Sequence, residues 1–135
     1  MNIGNISESQ KTYDILKRGL DASATREKVI VNNIANVNTK GYKKNYVTFE
    51  DTLKESKNEL ELKKTNRKHI SNNDSDYGEI NIKRDESTSM KKDGNNVDID
   101  NEMVNLAANN LKYNALVTEL NSRMSMTKYV ITGGR

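Results

Sequence analysis

Apolar residues in the last third of the chain fall at Ile99, Met103, Leu106, Tyr113, Val117, Leu120, Met124 and Ile131. Asn110 and Thr127 complete a ladder whose steps alternate four and three residues. A heptad seam of this length predicts a long helix that needs a partner helix. At 1.5 Å per residue the stretch from Asp100 to Ile131 would span about 48 Å, too long to hide a stripe within a small globule. A second row at Val104, Ala107, Ala108, Leu111 and Ala115 implies more than one partner face.

The beginning of the chain repeats the pattern. Ser7-Glu8-Ser9-Gln10 fits a capping box, in which the Ser7 hydroxyl accepts from the amide three residues on and Gln10 reaches back. Tyr13, Leu16, Leu20, Ser23, Glu27, Ile30, Ile34 and Val37 then follow the 3-4 spacing, with Ala24 and Val31 placed to widen the stripe. Asn-rich sequence at Asn36 to Asn38 predicts the end of this helix, and Gly41 supplies a backbone stop. Two terminal helices of similar length are expected to pair as a coiled-coil-like hairpin, an all-α frame. The expected divisions are 1–42 for the N-terminal helix and turn, 43–95 for a middle segment, and 96–135 for the C-terminal helix.

The middle segment is different material. Of its 53 residues 23 are charged, so burial cannot offset its ordering entropy and a largely irregular path is predicted. Phe49 and Leu53 suit one amphipathic helical turn. Leu60 and Leu62, and Ile80 and Ile82 after Tyr77-Gly78, alternate as the strands of a short β-hairpin would.

Composition narrows the chemistry. Hydrophobic residues make up 33% of the chain, with one Phe and no Trp, too little for a large independent core. The absence of Cys excludes disulfides and thiolate metal sites. The formal charge is +3, from 22 basic and 19 acidic residues. The pairs Lys43-Lys44, Lys63-Lys64 and Lys91-Lys92 are interleaved with acids instead of gathered on one face, so a solvated mixed-charge surface is read ahead of nucleic-acid binding, the alternative of a different class. No apolar run approaches a membrane span and no signal-peptide core is visible, so export would use a route that reads no cleaved hydrophobic signal. Asp98, Asp100 and Glu102 lack the spacing of a calcium loop. Asp98 or Asp100 is expected to cap the second helix while Glu102 meets its positive end. His69 has no nucleophile or carboxylate set to work with. No catalytic, metal or cofactor site is expected, and the chain reads as non-enzymatic.

The run Val31-Asn32-Asn33-Ile34-Ala35-Asn36-Val37-Asn38-Thr39-Lys40-Gly41-Tyr42-Lys43 resembles the ANNxANxxTxGYK signature of bacterial flagellar rod and hook-family proteins. Asp93-Gly94-Asn95-Asn96-Val97-Asp98-Ile99-Asp100, Asn110-Leu111-Lys112-Tyr113-Asn114-Ala115-Leu116 and Thr132-Gly133-Gly134-Arg135 are similar to the short proximal rod members, the B type ahead of the C type as alternative. Lys40 stands where the family usually has Pro, which loosens the expected turn. The resemblance implies a structural subunit of the flagellar basal body, exported by the flagellar type III apparatus. It implies self-association in a helical tube that transmits torque and surrounds the export channel. The implied partners are other rod subunits, the basal-body membrane ring and its rod adaptor protein. On that reading Leu16, Leu20, Ile30 and Ile34 work against Met103, Leu106, Leu111, Tyr113, Val117, Leu120, Met124 and Ile131 as the assembly interface. Asn33, Asn36, Gly41 and Tyr42 form the turn where subunits meet.

Overall fold

The structure, a computed structural model, describes residues 8–54, 78–88 and 92–133. Its elements run α1 (Glu8–Ala35), β1 (Asn45–Thr48), β2 (Asn81–Arg84) and α2 (Ile99–Ile131). Ser7, Leu60, Leu62, His69 and Tyr77 lie outside the described residues.

α1 ends where the Asn run begins. The Asn36 amide is shared between the Asn32 and Asn33 carbonyls at 3.2 and 3.1 Å, the Asn36 side chain bonds Asn32 O, and Gly41 takes a φ of 72°. Asn side chains compete with helical bonding at such a point, and glycine carries the left-handed residue without strain. α2 begins at the expected cap: Asp98 Oδ1 accepts from the amides of Asp100 (3.1 Å) and Asn101 (3.5 Å), satisfying donors that no preceding turn can reach. It closes through Thr132, whose amide bonds Lys128 O, and Gly133 at a φ of 68°.

The helices pack antiparallel. Gly19 of α1 lies opposite Leu116, Ser23 opposite Asn109, and Asn33 opposite Glu102. With 28 and 33 residues respectively, α1 and α2 would measure about 42 and 50 Å. The all-α hairpin read from the two ladders is therefore the frame of the molecule.

A small antiparallel sheet sits at its closed end, pairing Asn45 with Arg84 and Thr48 with Asn81. The alternation at Ile80 and Ile82 corresponds to β2. Its partner is Asn45-Tyr46-Val47-Thr48, which follows the α1 turn directly. Phe49 and Leu53 open the expected helical turn, with Leu53 N bonded to Phe49 O at 3.0 Å. Phe49 is buried against Gly78, where the backbone has a φ of 72° and a Cβ methyl would meet the ring at 2.5 Å. Glycine is required there on both counts.

The core is confined to this closed end. Ala22, Val29, Ile30, Val47, Phe49 and Val97 are its buried apolar residues, and Ser23, Asn33, Thr48, Asn95, Glu102 and Asn109 are buried with them. Among described residues, none is buried in α1 before Gly19 or in α2 after Asn109.

The contact face differs in phase from the apolar ladders. On α1 the buried positions are Gly19, Ala22, Ser23, Val29, Ile30 and Asn33, while Val31 and Glu27 are exposed. On α2 Asn110 is exposed and its neighbour Asn109 is the buried residue. The side-chain amide of Asn109 reaches Ser23 O at 2.9 Å, so a buried Asn does set helix register, one position away from the ladder.

Candidate assembly surface and asparagine clasp

Three asparagines join the turn after α1 to the segment leading into α2. Asn33, 1% exposed, uses its whole carboxamide. Its Nδ2 donates to Asn45 O (2.8 Å) and Glu102 Oε2 (3.0 Å), while its Oδ1 accepts from Asn45 N (3.0 Å) and Tyr42 OH (3.2 Å). Two donors and two acceptors exhaust the group's capacity. Asn95, 0% exposed, donates to the carbonyls of Asn36, Val37 and Thr39 at 2.9, 3.0 and 2.9 Å and accepts from Val97 N at 2.7 Å. Asn96 accepts from Lys44 N at 2.7 Å and donates to Asp85 O at 3.0 Å. Gly41 N donates to Asp93 O at 2.9 Å, joining the two backbones beside Gly94. Carbonyls of the turn after α1 are thus bonded by a side chain some sixty residues away in sequence.

Charge reinforces the clasp on one side. Glu50 accepts from Arg26 of α1 at 2.7 Å and from Lys112 of α2, tying both helices to the turn after β1. Burial pushes the Glu50 carboxyl up, but the Lys112 hydrogen bond, a bond within its own backbone and the Arg26 and Lys112 charges together hold it below the ordinary carboxylate range. Asp85 is also held low, by the Ser87 backbone amide and hydroxyl and then by Lys44 at 3.6 Å. Arg26, Glu50 and Lys112 border a cleft of ≈ 350 Å³ between α1, β1 and α2. Ser23 Oγ and Asn109 Oδ1 are buried without a partner where the helices meet, a cost to the isolated fold.

The remaining surface of α2 is the other prominent feature. Only Glu102 and Asn109 of its 33 residues are buried. Leu106, Val117 and Leu120 of the ladder are half-buried toward α1, as are Leu16, Leu20 and Ile34 on α1, and Ile30 is fully buried. Met103 (55% exposed), Tyr113, Met124 and Ile131 (79%) open to solvent. Leu111 (73%) lies nine residues beyond Glu102, two and a half turns, and therefore on the side opposite α1. Val104 and Ala115 share that side. A separate groove of ≈ 520 Å³ lies between the helix ends at the open end, on the α1-facing side of α2, bordered by Tyr13, Met124 and Ile131 with Gln10, Thr127, Arg123 and Lys128.

Asn33, Asn36, Gly41 and Tyr42, expected to share one turn, do come together. Asn33 points inward, Asn36 and Tyr42 are half-buried and Gly41 is exposed. Sequence reasoning missed Asn95, Asn96 and Arg26. The signal available for the first two was an Asn pair bounded by Gly94 and the Asp98 cap; Arg26 carried none. Glu102 does more than face the helix terminus, because it accepts directly from Asn33.

The sequence profile described as Flagella basal body rod protein matches residues 14–43, which hold most of α1 and the Asn33–Tyr42 turn. The flagellar basal body rod protein FlgB of Bacillus subtilis is 40% identical over 126 residues, covering 92% of this chain and 95% of the relative. FlgB of Borreliella burgdorferi is 34% identical over 82% of this chain and 88% of its own length. FlgB of Buchnera aphidicola subsp. Baizongia pistaciae is 37% identical over 90% and 94%.

Proposed function

The chain belongs to the FlgB family of flagellar basal body rod proteins and is a structural subunit of that rod, and from that premise we propose how it assembles. The exposed face of α2 carries the reading. A helix apolar around most of its circumference is stable only when buried around most of it, yet α1 covers one side alone. Met103, Leu111, Tyr113, Met124 and Ile131 pack on neighbouring subunits, and Leu16, Leu20, Ile30, Ile34, Leu106, Val117 and Leu120 hold the hairpin that presents them. Residues 1–42 and 96–135 supply the helices of the rod core, with 43–95 as the charged middle segment. Repeated head-to-tail contacts with a rotation that does not close give a helical tube.

In this reading the subunit lies in the proximal rod, around the export channel, between the membrane ring with its adaptor and the remaining rod subunits. It transmits torque and has no catalytic role. Export through the type III apparatus precedes assembly. The test is a strain expressing the chain truncated from Asn121 onward. Secretion of the truncated protein by cells that build no hook is expected; normal swimming would overturn the helical-seam mechanism.

A further inference from the structure

We propose that the Asn33 carboxamide acts as a one-residue third strand on β1 and so makes the β-hairpin and the helix pair one rigid body. The sheet has two strands of four residues, a unit that is marginal alone in water. Its pairing leaves Asn45 facing outward: Asp85 N bonds Lys44 O at 2.8 Å, so the next pair, Asn45 with Arg84, turns its N–H and C=O away from β2. Both groups meet Asn33. The side-chain amide accepts from Asn45 N at 3.0 Å and donates to Asn45 O at 2.8 Å, the reciprocal pair that a neighbouring strand would supply.

That substitute strand is itself held from two sides. Asn33 belongs to α1, and its second Nδ2 hydrogen is taken by Glu102 of α2. Tyr42 OH occupies the remaining lone pair from the turn. A fully bonded, buried carboxamide has no alternative rotamer with equal satisfaction. Rotation of the hairpin relative to the helices must therefore break the Asn33 bonds to Asn45. The use of such a joint rests on the rod assignment: load entering through β1 and β2 reaches the helical core in part through Asn33. The joint itself does not depend on that assignment.

The absence of cysteine from the chain permits a direct test. Nitroxide labels at Lys28→Cys on α1 and Lys83→Cys on β2, both exposed positions, report the helix-to-hairpin distance by pulsed electron paramagnetic resonance. A single narrow distribution is expected in the otherwise native chain. Asn33→Ala should lose it to a broad or split one while helicity by circular dichroism is retained. Tyr42→Phe, which removes one of the four bonds and neither of those to Asn45, should keep the narrow peak. An unchanged narrow peak in folded Asn33→Ala overturns the proposal. If that variant does not fold, hydrogen exchange in the native chain decides: a protected Asn45 amide supports the third-strand contact, and one exchanging as fast as an exposed loop amide overturns it. Neither measurement involves the rod, so a failure of the joint and a failure of the rod assignment are read separately.

Discussion

Asn33 and Glu102 meet at 3.0 Å across 69 positions of sequence, both buried, in the contact that locks the end of α1 to the start of α2. Asn33 lies within the Val31–Lys43 run and Glu102 two residues beyond the Asp93–Asp100 run, and these two runs satisfy each other's backbone groups. Helix pairing at the closed end therefore joins buried polar contacts to the apolar core formed by Ala22, Val29, Ile30 and Val97 with Val47 and Phe49.

Removing the second asparagine of the clasp should be costly. Asn95→Ala strips the Val37 carbonyl of its Asn95 bond and removes the bond that the Val97 amide donates, both inside the protein, while the carbonyls of Asn36 and Thr39 keep the amides of Thr39 and Tyr42. A loss of about 3 kcal/mol is expected from such unsatisfied groups, read as a lower urea midpoint. Asn121→Ala, at an exposed position, should stay within about 0.5 kcal/mol of the parent.

Gly78→Ala would drive a methyl into the Phe49 ring at a positive φ. Overpacking of this kind costs about 2 kcal/mol, and the backbone strain adds to it. The expected readout is again a lower denaturation midpoint, with the Phe49 ring resonances displaced. Unchanged stability and an unmoved ring would contradict the packing described for this corner.

Leu111→Asp separates folding from assembly. Leu111 is exposed in the single chain, so stability should change by no more than about 0.5 kcal/mol. In the assembled rod the charge would be desolvated without a partner, and swimming in soft agar should disappear. Lys54→Asp, in the solvated segment, should swim normally. Normal swimming by Leu111→Asp would remove the outer face of α2 from the interface.

Acid should weaken the Arg26–Glu50–Lys112 link in a defined direction. The folded-state pKa of Glu50 is depressed below its ordinary value of 4.5, so the stability it contributes is fully present above that value and is lost as pH falls through the folded value. The difference in urea midpoint between the parent and Glu50→Gln is therefore expected at neutral pH and should shrink as the pH drops below the ordinary carboxylate range. A difference that persists unchanged in strong acid would mean the link is not ionic.

Periodicity, caps and turn residues determined a great deal by themselves: two long helices, their ends at Asn36 and Asp98, the helical turn at Phe49 and Leu53, and an apolar surface in excess of one partner. Each of these follows from local backbone physics or from a count of apolar positions. The phase of the helix contact was not legible in the same way. α2 is apolar at so many positions that several faces offer nearly equal burial, and a hydropathy ladder assigns no weight to a buried asparagine or glutamate. The choice fell to tertiary structure, because Asn33, Asn95, Glu102 and Asn109 can be buried only where their partners from the other end of the chain lie within hydrogen-bond reach. That requirement set the α1–α2 face one position away from the ladder and left Leu111 on the opposite side, while Met124 and Ile131 border the groove between the helix ends.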